Sequence, residues 1–159
     1  QNLSRLIVGA PEMPHQTIVN IHYKTDARLP DGKTFAGLIG FTGHWIFIKN
    51  GILSVTISAA DDLLKKFSPD SAASLVWREL SVLLNLSAET PDYRVIIEKR
   101  ATILQTRRQN RLRLNADIGS NTVYLAGDAT ATGLPCTIEG SVRSGIKAAE
   151  TVLNSLNKR

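Results

Sequence analysis

The chain reads as an α+β fold, a mostly antiparallel sheet with one flanking helix joined to a C-terminal strand–loop–helix. Three observations predict it. Thr17 to Asp26 (TIVNIHYKTD) alternates, with Ile18, Asn20, His22 and Lys24 on one face and Val19, Ile21 and Tyr23 on the other; that period of two is a strand's. Asn50-Gly51 separates two short apolar runs and is a strong hairpin signal. Val123 to Ala126 is a compact apolar run followed by small residues and then by a stripe of helical period.

Taken in order, Gln1 to Gln16 reads as a remnant of helix, LSRLIVGA, and a turn carrying Pro11 and Pro14. The Thr17–Asp26 strand follows, then a turn over Leu29 to Lys33, where Pro30, Asp31 and Gly32 supply the chemistry. Thr34 to Phe41, His44 to Lys49 and Leu53 to Ser58 are three further strand-like runs, giving an antiparallel meander. Ser68-Pro69-Asp70 starts a helix: serine caps, proline takes the first helical position, and aspartate suits the dipole. Its buried stripe is Ala72, Val76, Leu80, Leu83 and Leu84, and it should end near Asn85 to Leu86. Tyr93 to Thr106 returns to extended structure, and Arg107 to Ser120 reads as an exposed, basic connection.

After the Val123 strand, Gly127 and Asp128 make the stop, and Gly133 and Pro135 punctuate a loop. Thr137 is the expected N-cap, with Glu139 in the first turn. The apolar face of this last helix is Ile138, Val142, Ile146, Ala149, Leu153 and Leu156. Gly140, Ser141, Ser144 and Gly145 are small, so something can lie close to the helix start, where unpaired N–H groups suit an anionic or electron-rich ligand.

Composition bounds the function. At 159 residues and 43% hydrophobic content the chain has material for a real core. A single cysteine, Cys136, excludes an intrachain disulfide framework and favours a reducing, cytoplasmic setting. No apolar run approaches the ~20 residues that span a bilayer, and no signal-peptide pattern opens the chain. A net charge of +5 permits, without specifying, attraction to nucleic acid or anionic lipid.

Other candidate chemistry has plainer readings. Gly37, Gly40 and Gly43 lack the G-x-G-x-x-G spacing and precede a strand, so they read as strand ends and close backbone approaches. His15, His22 and His44 are scattered, and no metal site is expected. Asp61-Asp62 reads as a helix entry, with capping favoured over acid–base work. No serine has a nucleophile-elbow context, and no catalytic residue is assigned. The basic stretch Lys99 to Arg113 has no interleaved aromatic, which favours a solvated face over a specific nucleic-acid site; a non-catalytic module binding nucleic acid there is the rival reading.

The string AGDATATGLPCTIEGSVRSG resembles the C-terminal flavin-binding signature of the FAD-dependent amine oxidase and phytoene desaturase superfamily. More narrowly it is similar to the squalene-associated branch, the hydroxysqualene dehydroxylases, departing at Ala129, where that pattern has an aromatic residue. Cys136 and Ser141 stand where it usually has alanine. EKRATILQTRRQNRLR, IVNIHYKTDARLPDGKTFAGLIG, HWIFIKNGILSVTISAADDL and VWRELSVLLNL resemble further blocks, from Thr17 to Ala149. The resemblance implies residues 1–115 as a substrate-domain-like part and 116–159 as the C-terminal segment of an FAD-binding domain.

It also implies an FAD-dependent oxidoreductase acting on an isoprenoid hydrocarbon, either reducing hydroxysqualene to squalene or carrying out a related desaturation. Gly127, Asp128, Pro135, Thr137 and Ile138 would contact the cofactor, Asp128 through the ribityl hydroxyls. Trp45 and Phe47 would line the substrate cavity. No stretch supplies the βαβ unit that holds the ADP half of FAD. The chain by itself is therefore expected to be silent and to hold no FAD, to expose apolar surface on the Val123 strand and last helix, and to form a homo-oligomer or pair with an N-terminal half. Peripheral contact with a membrane suits a lipid substrate.

Overall fold

The computed structural model describes residues 7, 9–120 and 122–157. It is mixed α/β and divides into two compact units, Gln16–Ala101 and Gln1–His15 with Thr102–Arg159. The N-terminal helix remnant read in LSRLIVGA falls mostly outside the described residues; Ile7 and Ala10 close a turn, the Ala10 N–H donating to the Ile7 carbonyl at 3.1 Å.

The first unit is built on a five-stranded sheet: β1 (His15–Lys24), β2 (Phe35–Gly37), β3 (Trp45–Lys49), β4 (Ile52–Ile57) and β5 (Tyr93–Ile103), in spatial order β2-β3-β4-β1-β5. β1 pairs antiparallel with β4, β4 with β3, and β3 with β2. Backbone bonds from Lys24 N–H to Asp92 O and from Leu104 N–H to Pro14 O set β5 antiparallel to β1. The hairpin at Asn50-Gly51 forms as expected: both residues have positive φ, 51° and 73°, the pair of values a two-residue turn between twisted strands requires.

One face of the sheet is core. Val19, Ile21 and Tyr23 of β1, Leu53, Val55 and Ile57 of β4, and Ile46 of β3 are buried against α2 (Pro69–Leu83). Ser68 caps α2 through its hydroxyl, which accepts the Ser71 N–H at 3.1 Å. The buried side of α2 is Ala72, Ala73, Val76, Trp77, Leu80 and Ser81; Leu83 is exposed, because the helix ends there, ahead of the expected Asn85–Leu86. Tyr23 ties sheet to helix, donating to the Ala73 carbonyl at 2.6 Å and packing 5.0 Å from the Trp77 ring. Burial pushes its hydroxyl pKa well above the ordinary phenol value.

Three local expectations are corrected. The Thr34–Phe41 run is strand only over Phe35–Gly37, with flanking backbone bonds at Thr34 and Leu38, and Gly40 then turns the chain at φ 82°. Asp61 and Asp62 open α1 (Asp61–Lys66), but Asp61 caps another element: its carboxylate accepts both the N–H and the hydroxyl of Thr17, at 3.0 and 2.7 Å, and so anchors the start of β1. The Arg107–Ser120 connection contains a helix, α3 (Arg107–Leu112), capped by the Thr106 hydroxyl, which accepts the Gln109 N–H at 3.2 Å. α3 and the residues after it group with the C-terminal helix, in the compact unit that takes up again at Thr102.

The glycine reading holds. A Cβ on Gly43 would stand 2.5 Å from Val55 Cγ1, so close backbone approach explains it without a nucleotide.

Candidate functional site

The second unit centres on residues 113–148. The expected Val123–Ala126 strand is reduced to one antiparallel bridge, Tyr124 with Asp117, because no other described segment of the unit offers it a strand partner. Leu125 is buried, and Val123 stays half exposed. The chain then turns at Gly127, whose φ of 139° a side chain would disfavour.

That turn is pinned to α4 (Ile138–Leu156) by small polar groups. The Gly127 N–H donates to the Ser144 hydroxyl at 3.0 Å, and the Thr130 hydroxyl donates to the Gly127 carbonyl at 2.8 Å. The Thr130 and Ser144 oxygens lie 2.6 Å apart, with Ser144 only 1% exposed. The loop leading to α4 lies against the helix start, where a Cβ on Gly140 would meet the Pro135 carbonyl at 2.8 Å.

Arg113 organises the whole loop. Its guanidinium donates to the Asp128 carbonyl, to the Ala129 carbonyl at 3.4 Å and to the Leu134 carbonyl at 2.6 Å. A planar cation with five fixed donors suits several carbonyls that converge without a countercharge. Cys136 adds a weak Sγ donor to the Asp128 carbonyl at 3.4 Å. Burial raises the thiol pKa, with Arg113 opposing, so Cys136 is a packed, unreactive group. Sequence reasoning missed Arg113, placing it on a solvated basic face; no local pattern marks an arginine whose partners lie 15 to 21 residues on.

The five residues expected to contact a cofactor thus come together around one loop. Gly127 and Asp128 form its start, and Pro135, Thr137 and Ile138 its end. Thr137 is the N-cap of α4, its hydroxyl accepting the Gly140 N–H at 3.2 Å. Among the described residues, nothing accepts from the Ile138 and Glu139 N–H groups, and nothing donates to the Asp128 carboxylate. An acceptor-only side chain and a helix N-terminus, on either side of a loop whose Asp128, Ala129 and Leu134 carbonyls Arg113 already occupies, can take a polyol and an electron-rich carbonyl. The donor set fits the ribityl chain and pyrimidine edge of a flavin.

α4 itself packs the other way from a buried amphipathic helix. Gly140, Ser144 and Ala148 face inward, at a spacing of four. Ile138, Val142, Ile146, Leu153 and Leu156 are all more than half exposed, Ile138 at 86%. The uncovered surface expected on this helix and on the Val123 segment is therefore present.

Trp45 and Phe47 lie in the other unit, on the sheet face opposite α2, and are not core residues. Of the histidines, His44 Nδ1 accepts the Ser58 N–H at 3.0 Å and His22 Nδ1 meets Ser54 Oγ at 2.8 Å. Among the described residues no cluster could hold a metal ion, and no described helix is long and apolar enough to cross a membrane.

Comparison with known proteins supplies an independent reading. The family described as flavin containing amine oxidoreductase matches residues 14–153. The chain is 39% identical over 142 residues to a hydroxysqualene dehydroxylase of Sinorhizobium fredii, which covers 89% of this chain and 34% of that protein. It is 42% identical over 139 residues to one of Rhodopseudomonas palustris, covering 87% and 33%. A third, from Zymomonas mobilis, is 37% identical over 142 residues, covering 88% and 33%. The chain spans about a third of the length of these curated relatives.

Proposed function

The chain belongs to the flavin-containing amine oxidoreductase family, and from that premise we propose that it is part of an FAD-dependent oxidoreductase acting on an isoprenoid hydrocarbon. The reaction best supported is reductive loss of the hydroxyl of hydroxysqualene to give squalene; the three relatives are named as hydroxysqualene dehydroxylases. One observation carries the reading: the residues that resemble the flavin signature fold into a single loop whose unpaired groups are those a flavin needs.

FAD, when bound, supplies hydride-level redox chemistry. The chain's own residues bind and orient. Asp128 would accept hydrogen bonds from ribityl hydroxyls, while Arg113 holds the Asp128 backbone carbonyl. The N–H groups of Ile138 and Glu139 would hold the pyrimidine carbonyl, since the partial positive charge at the start of a 19-residue helix favours the electron density of reduced flavin. Gly127 lets the backbone approach the cofactor, and Pro135 with Gly140 keeps the loop against the helix.

The remaining length of the relatives would carry the ADP-binding part, so the 159-residue chain expressed by itself holds no FAD. The uncovered face of α4 then engages an N-terminal FAD-binding half or a second copy. A cytoplasmic location with peripheral membrane contact fits a lipid substrate. The rival of a nucleic-acid-binding module loses Arg113, which is turned inward. The test is to express the full-length gene and supply hydroxysqualene: squalene should form, and a purified protein without flavin would overturn the proposal.

A further inference from the structure

Two buried hydroxyls join the flavin loop to α4, and neither belongs to the set expected at the cofactor. Thr130 is 5% exposed and Ser144 1%. Thr130 sits in the loop two residues after Asp128, and Ser144 lies on α4, six residues after Ile138. Their oxygens are 2.6 Å apart, and each also meets the backbone of Gly127. The Gly127 N–H donates to Ser144 Oγ at 3.0 Å, and the Gly127 carbonyl accepts from Thr130 Oγ1 at 2.8 Å.

A hydroxyl has one proton to give, and a carbonyl oxygen only accepts. The Thr130 proton is therefore committed to the Gly127 carbonyl, so Ser144 is the donor in the contact between the two hydroxyls. A closed ring results: Gly127 N–H to Ser144, Ser144 to Thr130, Thr130 to the Gly127 carbonyl. The Thr130 N–H gives that carbonyl a second donor at 3.1 Å. In surroundings this buried, bonds joined head to tail polarise one another, and loss of one member leaves its neighbours unpaired. Packing alone does not require the hydroxyl on α4. The other buried residues of that helix are Gly140 and Ala148, so a small side chain suffices there.

The ring links the two groups of the loop that are unpaired among the described residues. Gly127 is followed directly by Asp128, with its carboxylate, and α4 opens with the Ile138 and Glu139 N–H groups. Along the chain Asp128 and Ile138 are ten residues apart, through a loop. Through the ring they are joined by one hydrogen bond to Ser144 and about 9 Å of helix, at ~1.5 Å per residue. Arg113 ties the loop to itself and does not reach α4. A ligand that touches both ends binds better when their spacing is fixed beforehand.

We propose that Ser144 and Thr130 are positioning residues for the cofactor: their ring locks the Gly127–Asp128 turn to α4 and so sets the spacing between Asp128 and the helix start that a flavin must bridge. This rests on the functional reading above and adds to it two residues that touch no cofactor atom.

The test is FAD affinity of the full-length protein, measured on the apoprotein by quenching of flavin fluorescence, beside its urea midpoint. Ser144→Ala should weaken FAD about tenfold, one hydrogen bond's worth. Thr130→Val keeps the shape without the hydroxyl and should lose about as much, whereas Thr130→Ser keeps the hydroxyl and should stay within about twofold of wild type. In an Asp128→Ala background, Ser144→Ala should weaken FAD by less than about twofold further, because the spacing no longer matters once one end is gone. A pair with a merely structural role would lower the urea midpoint and leave the FAD affinity of the folded protein unchanged, or would add its full loss to that of Asp128→Ala; either result overturns the proposal. If Ser144→Ala does not fold, Thr130→Val and Thr130→Ser, alone and with Asp128→Ala, decide in the same way. A wild type that binds FAD beside variants that bind it equally well overturns the positioning role alone. A full-length wild type that takes up no FAD overturns the functional reading, and the positioning role with it.

Discussion

The Arg113 guanidinium donates to the Leu134 carbonyl at 2.6 Å, across 21 residues of chain. The same group binds the Asp128 and Ala129 carbonyls, so one side chain closes the loop that runs from the turn after Tyr124 to the start of α4.

Arg113→Gln should therefore leave at least two of those carbonyls unpaired. The expected cost is about 2–3 kcal/mol, a charged donor's share, read as a lower urea midpoint. Arg113→Lys should rescue only part, since one ammonium cannot span the three carbonyls. Full stability in Arg113→Gln would show that the clamp does not hold the loop.

Gly140→Ala places a Cβ 2.8 Å from the Pro135 carbonyl. The loop must move off the helix, at about 1–3 kcal/mol by the usual cost of overpacking. Gly145→Ala, where the added Cβ meets nothing within 4 Å, should be neutral or stabilising by helix propensity. Equal effects at the two positions would contradict the close approach.

Asp61 carries a pH dependence. The Thr17 backbone N–H, then the Thr17 hydroxyl, hold its carboxyl below the ordinary value. Its folded-state pKa is thus lower than its unfolded one. The stability it contributes is full above the ordinary carboxylate range and is lost as pH falls through the depressed folded value. Asp61→Asn should be less stable than wild type at neutral pH, and the gap should narrow in acid. Parallel melting curves for the two proteins from pH 7 to pH 3 would remove Asp61 from the anchor of β1.

The α4 stripe predicts association. In the isolated chain Ile138, Val142, Ile146, Leu153 and Leu156 face solvent. Light scattering should find a mass above that of one 17.4 kDa chain, and Val142→Lys with Ile146→Glu should reduce it. A wild-type monomer at tens of micromolar would show that the stripe stays uncovered.

Local chemistry made much of the fold legible. The β1 alternation, the Asn50-Gly51 turn and the Ser68 and Thr137 caps act over a few residues, and each appears where the sequence places it. The loop at Gly127–Ile138 is legible from its literal string, and the five residues expected at a cofactor lie at its two ends. What stayed hidden depends on partners distant in sequence. Arg113 reads like its basic neighbours until its carbonyls are seen, and Asp61 reads as a helix cap until Thr17 is found beside it. Val123–Ala126 has strand composition, but a strand needs neighbours, and the described residues give it one bridge.

Flavin retention by the full-length protein, wild type against Asp128→Ala, tests the central claim most directly. The wild type should purify with flavin absorbance near one FAD per chain, and the folded variant should bind FAD more weakly by about 1–3 kcal/mol, the cost of losing a buried hydrogen-bonding group. A colourless wild type, or a variant that keeps its flavin unchanged while only its stability falls, would contradict the assignment of the Gly127–Ile138 loop to the cofactor.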